Sequence, residues 1–204
     1  MEKKIEIRES LFTKKLLSVF RVNENDEKRI MFLFQNPFLK TKEYFNYFQK
    51  RFKKIQEINL PEFLNLSHGS FKNIPYIGFQ DVFEYDKTLD KMLPSLKQKS
   101  EEHLHKLITN FLLYFVEFHN ANEIVGSASP SLFMLSNSGM PYFIDFLNGW
   151  DDANIFSKIK GFYTNELRFV SPEHLNNKNI TIKSDVFAVA LFLIYALSEK
   201  SYEI

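Results

Sequence analysis

The chain has 204 residues, of which 45% are hydrophobic and 25% charged, a balance that excludes an intrinsically disordered protein. The net charge of +1 offers no field for nucleic acid or an anionic membrane, so neither partner is expected. The absence of cysteine excludes disulfides and thiolate chemistry and favours a cytoplasmic location.

The N-terminal third has the pattern of a small sheet. Residues 16–22 and 29–34 are apolar, β-branched and aromatic, and Asn23-Glu24-Asn25-Asp26 between them is typical of a turn, so a β-hairpin is predicted. Residues 42–58 follow with Phe45, Phe48, Phe52 and Ile55 on one stripe, which predicts a helix. Two extended pieces are then predicted at residues 62–66 and 76–84.

From Ser100 onward the hydrophobic period becomes helical. Ser100 is a good N-cap, and the apolar residues from Leu104 to Phe118 fall on one wide face, so a core-facing helix is predicted to about Asn120. Short strands at 133–135 and 142–146 flank Asn137-Ser138-Gly139, which predicts a hairpin. An irregular stretch leads to a strongly apolar helix at 184–197, which at about 12–14 residues is shorter than the ~20 that span a bilayer.

Four motifs in this second half occur in a familiar order. They are Phe118-His119-Asn120-Ala121-Asn122-Glu123-Ile124-Val125, Ile144-Asp145-Phe146-Leu147, Ser171-Pro172-Glu173 and Lys183-Ser184-Asp185-Val186-Phe187. They resemble the run before the catalytic loop, the metal-binding triplet D-F-G, the A-P-E end of the activation segment and the start of the central C-lobe helix of protein kinases. The chain is therefore identified as similar to the protein kinase-like superfamily, as a degenerate and C-terminally shortened member.

This resemblance implies an α+β, two-lobe fold. The N-lobe is expected at about residues 1–85, as an antiparallel sheet with one helix. The C-lobe is expected at about 86–204, as a mostly helical lobe that stops after the central helix. In this register Val19-Phe20-Arg21-Val22 corresponds to the second strand and Ile30-Met31-Phe32-Leu33 to the strand that bears the phosphate-clamping lysine.

Residues that kinase chemistry requires are replaced in the N-lobe. A phosphate-binding loop needs glycines so that backbone N–H groups can approach the phosphates, and no glycine precedes Gly69. The resemblance places Leu33 at the clamping lysine and Arg51 at the helix acid that orients this lysine. In this register Met31 occupies the position of the small residue that stacks on adenine in kinases. One hypothesis is that Met31, Phe133 and Met134 fill the nucleotide position with apolar side chains. The equal alternative is that Met31 points into the N-lobe sheet.

The C-lobe shows a similar loss. The catalytic-loop triplet falls on Gly126-Ser127-Ala128, so Ala128 replaces the general-base aspartate, and Leu132 replaces the metal-binding asparagine. Asp145 survives, with Phe146 beside it, as a weak candidate metal ligand or, on the other interpretation, a turn residue after a strand. The resemblance gives Asp185 a structural role, bracing the catalytic-loop backbone, and leaves Glu173 to find a partner other than the arginine used in the family.

The function predicted from these replacements is that of a pseudokinase, a protein-binding or regulatory scaffold without catalysis or cofactor. The alternative is an unorthodox active protein kinase or ATP-dependent phosphotransferase, with ATP and Mg²⁺ as cofactors, Asp145 as metal ligand and an acid from Asp151-Asp152 as base. A kinase-derived relic without function is the third possibility. The glycine- and serine-rich run 126–130 could also bind an anion through backbone N–H groups.

The C-terminal helix suggests how such a scaffold binds. Residues 184–197 present apolar side chains on every side, and a helix of this kind is expected to be covered all round. Either neighbouring segments cover it or a second chain does. The sequence therefore predicts a protein partner or self-association through this region.

Overall fold

The structure is a computed structural model that describes residues 4–14, 16–35, 41–58, 60, 66–81 and 87–198. The chain divides into two compact units, Met1–Asp86 and Lys87–Ile204. A five-stranded antiparallel sheet dominates the first unit and helices dominate the second. The predicted α+β class, with a sheet-rich N-terminal lobe and a helical C-terminal lobe, is confirmed.

The elements of the first unit are β1 (Ile5–Thr13), β2 (Leu17–Glu24), β3 (Glu27–Phe34), α1 (Lys42–Gln56), β4 (Ser67–Phe71) and β5 (Ile74–Gln80). Its strands pair in the order β1-β2-β3-β5-β4. The predicted hairpin is confirmed as β2 and β3, which pair from Leu17–Phe34 to Glu24–Glu27. Its turn residues Asn25 and Asp26 have φ values of 50° and 68°, and two such residues form the tight turn that matches the twist of a hairpin.

Helix α1 packs on one face of the sheet. The ring of Phe48 contacts Phe34 of β3 at 5.5 Å between centroids, and Phe52 contacts His68 of β4 at 5.1 Å. The helix begins at Thr41, whose hydroxyl accepts a hydrogen bond from the Tyr44 N–H. The predicted helix at 42–58 is therefore confirmed to within two residues at its C-terminal end.

The opposite face of the sheet has its own apolar cluster. Met31 and Leu33 pack there with Val22 and Tyr76, because alternate residues of a strand point to opposite faces. Tyr76 also donates a hydrogen bond to the buried carboxylate of Glu24 at 2.6 Å. Residue 31 thus lies on the face away from α1.

Sequence patterns missed β1, β4 and α2 (Leu89–Lys99), and also the two short helices at Ala153–Ile159 and Pro172–Leu175, which fall in the stretch predicted to be irregular. β1 and β4 are polar strands at the two sheet edges, where one apolar face is not required. α2 contains Pro94, a residue that interrupts a helical pattern. Of the predicted extended pieces, the second is confirmed over residues 76–80 as part of β5, while residues 62–65 and 82–84 lie outside the described part of the chain.

The second unit continues with α3 (Glu101–Asn120), β6 (Phe133–Leu135), β7 (Pro141–Phe143), α4 (Ala153–Ile159), α5 (Pro172–Leu175) and α6 (Ile182–Leu197). The predicted helix start is confirmed, since the Ser100 hydroxyl accepts the His103 N–H at 3.3 Å. The predicted short hairpin is confirmed as β6 and β7, although the second strand ends at Phe143 and residues 144–146 form a turn.

Helices α3 and α6 form the centre of this unit and run antiparallel. Phe111 of α3 stacks on Phe192 of α6 with ring centroids 3.8 Å apart. Later in α3, His119 contacts Asp185, which lies earlier in α6, at 3.0 Å. Thr181 caps α6 through a reciprocal pair of hydrogen bonds with Ser184. The expectation that α6 is covered all round is not met by the described chain, because Val186, Ile194 and Leu197 remain more than half exposed.

Candidate functional site

The connection at the position of a phosphate-binding loop is a tight turn. Backbone hydrogen bonds join Lys14 N–H to the Leu17 carbonyl at 2.7 Å and Leu17 N–H to the Lys14 carbonyl at 3.4 Å. Leu16 and Leu17 are buried. The N–H groups of Lys14 and Leu17 are therefore used within the turn, and the segment has no glycine to let a phosphate approach its backbone.

The strand that carries the clamping lysine in kinases is apolar here. That lysine pairs with an acid of the N-lobe helix, so it must lie on the sheet face that packs against α1. This face of β3 presents Phe32 and Phe34, whereas Leu33, which the sequence register placed at the lysine, lies on the opposite face. If the resemblance holds, the lysine position on this face would fall on Phe32 or Phe34 and not on Leu33, and none of these three side chains is a cation.

The helix acid of kinases corresponds in sequence to Arg51. The structure places Arg51 on α1 with only 2% of its surface exposed. Its neighbours along the helix, Phe48 and Phe52, contact sheet residues through their rings. At the positions that the resemblance gives to the lysine and the glutamate, the structure thus has apolar side chains on β3 and one buried guanidinium on α1.

In the second unit, Asp185 organises the loop that corresponds to the catalytic loop. Its carboxylate is fully buried and accepts hydrogen bonds from Val125 N–H at 2.9 Å, Gly126 N–H at 2.8 Å and the His119 imidazole at 3.0 Å. Charge-assisted bonds to backbone N–H groups are among the strongest in proteins. This is the bracing arrangement that the resemblance implies for this residue.

Gly126 connects this brace to the segment that follows Asp145. Its φ is +89°, and a Cβ at this position would lie 2.1 Å from the Trp150 carbonyl oxygen. Its own carbonyl accepts a hydrogen bond from His174 Nδ1 at 3.1 Å. A glycine is therefore required where this loop approaches the backbone of the Trp150 turn.

The residues that replace the base and the second metal ligand are buried core residues. Ala128 and Leu132 are both fully buried. The Ala128 N–H donates to the Phe169 carbonyl at 3.3 Å, and the Ser129 N–H to the Ser127 hydroxyl at 3.2 Å. Since the Gly126 N–H is also taken, three N–H groups of the run 126–130 are bonded within the protein and are not available to an anion.

Asp145, which the resemblance places at the metal-binding aspartate of kinases, is buried with 1% of its surface exposed. Its carboxylate accepts hydrogen bonds from the Asn148 amide and the Tyr163 hydroxyl, and from the Trp150 indole N–H at 3.4 Å. All three donors come from the segment that follows β7. Asp145 belongs to the same segment, so its carboxylate ties residues 145–163 of this segment together.

These surroundings do not fit a magnesium ion. Mg²⁺ requires near-octahedral oxygen ligands and keeps several waters, whereas three side-chain donors occupy Asp145. Within the described residues, no group of three or more histidine, aspartate or glutamate side chains is placed to hold a metal. Asp152, one of the two candidate bases (Asp151 and Asp152) of the alternative hypothesis, caps α4 by accepting the N–H groups of Asn154 and Ile155.

The other predicted structural residues have local partners. Glu173 accepts a 2.5 Å hydrogen bond from the Ser184 hydroxyl at the start of α6, and this bond is the main cause that lowers the pKa of Glu173. Phe146 is fully buried and packs edge-on against Tyr142. Phe133 packs against Phe111 and Phe143 within the second unit, so its part in filling a nucleotide position stays a hypothesis.

Four residues of this site escaped sequence reasoning. Asn148, Trp150, Tyr163 and His174 lie in a stretch without helical or strand periodicity, which hides which side chains point inward. The single tryptophan of the chain, five residues after Asp145, was a usable signal because a lone large aromatic after a strand is usually buried.

His174 gives a pH prediction. His174 is fully buried, and its ring lies 3.9 Å from the Phe156 ring between centroids. Burial lowers the pKa of His174 from 6.5 to about 4. The Gly126 carbonyl, Asp151 and Glu173 act in the opposite direction and raise it by less. Between these values the unfolded chain binds a proton that the folded chain does not. We therefore expect the free energy of unfolding to fall by about 3 kcal/mol from pH 6.5 to pH 4 through this group.

The control for this prediction is a pair of histidine variants. His174→Gln keeps a donor for the Gly126 carbonyl and removes the titration, so urea unfolding is expected to show a shallower pH dependence. His103→Gln, at an exposed position on α3, is expected to keep the dependence of the original chain. Equal slopes in all three proteins would contradict the assignment to His174.

Comparison with known proteins shows the fold and no more. No family model matches the chain, and no curated protein matches it. Among solved structures, the apo form of PpkA-294, a Ser/Thr-kinase-related protein, is similar with a TM-score of 0.70 and 12% sequence identity over 97% of this chain and 76% of that one. The chain therefore has a protein-kinase-like fold.

Proposed function

We propose that this protein is a catalytically inactive, kinase-like domain that acts by binding another protein. One observation carries the proposal: Asp145, the surviving acid of the kinase set, is buried and hydrogen-bonded to Asn148, Trp150 and Tyr163. A carboxylate held in this way is a structural anchor. Its use for a metal requires breaking those contacts and desolvating the ion in their place.

The rest of the phosphate-handling machinery supports the same conclusion. Phosphoryl transfer depends on positioning and on charge stabilisation, each supplied by a particular group. Here a closed turn replaces the phosphate loop, phenylalanines replace the lysine, and Ala128 and Leu132 replace the base and the second metal ligand. Of the two candidate bases in the alternative of an active phosphotransferase, Asp151 and Asp152, Asp152 serves as a helix cap.

A binding role agrees with the remaining features of the molecule. The fold is retained with well-formed caps and cores in both units, and α6 exposes a set of large apolar side chains. We place the protein in the cytoplasm on the strength of its cysteine-free composition. Among the described residues, no helix combines the length and apolarity that crossing a bilayer requires.

The proposal predicts that ATP with Mg²⁺ leaves the melting temperature of the chain unchanged. A ligand at 100 times its dissociation constant adds about 2.7 kcal/mol of stability, which for a chain of this size raises the melting temperature by roughly 5–10 °C. The measurement is a thermal shift with and without ATP and Mg²⁺, on the original chain, Asp145→Asn and Asp152→Asn.

We expect Asp145→Asn to melt lower than the original chain in every buffer, since it weakens the anchor for Tyr163 and Trp150. Asp152→Asn is the matched control and is expected to melt close to the original, because asparagine caps a helix as well as aspartate does. A nucleotide-dependent shift that is present in the original chain and absent in Asp145→Asn would establish the alternative, as would transfer of labelled phosphate.

A further inference from the structure

An apolar ridge runs along the exposed side of α6. Ile182, Val186, Ala190 and Ile194 follow one another at intervals of four residues, so they form one row on the helix surface. Ile182, Val186 and Ile194 are 42%, 59% and 55% exposed, and Leu197 continues the row. The buried residues of α6 lie on its other side, where Phe192 and Asp185 contact α3.

Helix α3 extends this surface. Because α3 and α6 run antiparallel with Phe111 against Phe192 and His119 against Asp185, helical geometry places Leu112 and Val116 on the same side of the pair as the α6 ridge. Leu112 and Val116 are 40% and 46% exposed. The ridge and these two side chains therefore form one continuous apolar face, here called the α3/α6 face.

The size of the α3/α6 face approaches that of a protein interface. Its six large side chains, each about half exposed, add roughly 500–600 Å² of apolar surface, at the upper end of the ~300–600 Å² of the largest patch on a typical monomer. A stable complex covers about 800 Å² on each partner. The face thus supplies most of what one side of a dimer needs.

The row on α6 is complementary to itself. With Ala190 at the crossing point of two antiparallel copies, Val186 of one copy meets Ile194 of the other, and the small alanine lets the two helix axes approach closely. Packing of rows spaced by four residues from both helices is the commonest helix–helix geometry. The same row on each copy therefore serves as ridge and as groove.

Charge also favours a second copy over a charged partner. Lys183 is the one charged side chain on the exposed side of α6, because Asp185 is buried. In the antiparallel arrangement the two Lys183 residues stand seven residues to either side of the centre, about 20 Å apart along the axis, beyond the ~8 Å screening length at physiological salt. No like charges meet at the centre of the contact.

We infer that a second copy of this chain covers the α3/α6 face, in a twofold dimer whose two α6 helices cross at Ala190. This inference rests on the proposed binding function and names its partner. It does not depend on whether nucleotide binds.

The first test is the mass of the full-length chain in solution, measured by light scattering across a range of concentrations. We expect twice the mass of a single chain for the original protein and for Ile7→Lys, a matched control at an exposed isoleucine of β1. Ile194→Lys introduces the same charge into the centre of the α3/α6 face and is expected to give the single-chain mass with an unchanged circular dichroism spectrum. A single-chain mass of the original protein, a complex with an unrelated protein, or a dimer that persists in Ile194→Lys would overturn the inference.

The second test uses the absence of cysteine in the chain. Ala190→Cys places the two thiols at the crossing point, within the Cα separation of about 4.4–6.8 Å that a disulfide needs, so mild oxidation is expected to give a covalent dimer. Lys183→Cys is the control and is expected to stay uncross-linked. Cross-linking of Lys183→Cys in preference to Ala190→Cys would exclude this crossing point. Failure in either test leaves the thermal-shift result with nucleotide unaffected, so the two proposals fail separately.

Discussion

Replacing Gly126 with alanine is expected to lower the free energy of unfolding by about 2–5 kcal/mol, the sum of a left-handed backbone penalty and an overpacking cost. The backbone at Gly126 has φ of +89°, and the new Cβ would lie 2.1 Å from the Trp150 carbonyl oxygen. The neighbour is backbone, so relief requires moving either the loop or the Trp150 turn. Urea unfolding followed by circular dichroism measures the loss.

Two other glycines separate the causes of this effect. Gly139 has a similar φ of +78°, but its nearest neighbour to a new Cβ is 3.6 Å away, so Gly139→Ala reports the backbone penalty alone, about 1–2 kcal/mol. Gly161 has nothing within 4 Å, and its alanine variant is expected to be close to neutral or slightly stabilising. If Gly126→Ala loses no more than Gly139→Ala, the close approach to Trp150 is not a constraint in solution.

The second large effect is expected for Asp185→Asn, at about 3–5 kcal/mol, the cost of disrupting a buried charged network by changing one member. The carboxylate accepts hydrogen bonds from Val125 N–H, Gly126 N–H and His119. An asparagine at this position offers one oxygen and turns an amide NH₂ toward groups that themselves donate. The measurement is the same urea unfolding curve, at a pH near neutrality.

The matched control for Asp185→Asn is Asp152→Asn, the same chemical change at an N-cap. Asp152 accepts two backbone N–H groups near the surface, where asparagine caps equally well, so a change within about 0.5 kcal/mol is expected. His119→Ala removes one donor of the three and is expected to fall between the two. An Asp185→Asn loss no larger than that of Asp152→Asn would mean that the loop is held by other contacts.

These two predictions concern one connected structure. Asp185 holds the Gly126 N–H, His174 holds the Gly126 carbonyl, and Trp150 packs against Gly126 while its indole reaches Asp145. The loop 125–128 is thus a buried junction between α6 and the segment after β7.

Local chemistry was sufficient to predict several features of this protein. The hairpin of β2 and β3, the start of α3 at Ser100 and the helix α6 follow from turn residues, caps and hydrophobic period, all of which act within a few residues along the chain. The sequence also shows directly that no glycine precedes Gly69 and that residues 30–34 of β3 are apolar, because no fold can supply a side chain that the sequence lacks.

Longer-range features depended on packing. Residues 31–34 of β3 are apolar on both faces, so only the position of α1 shows that Phe32 and Phe34, and not Leu33, stand on the side of the missing lysine. The role of Asp145 likewise depended on Tyr163, eighteen residues later in a stretch without periodicity. Such contacts are set by tertiary packing, because they join residues whose separation along the chain carries no helical or strand repeat.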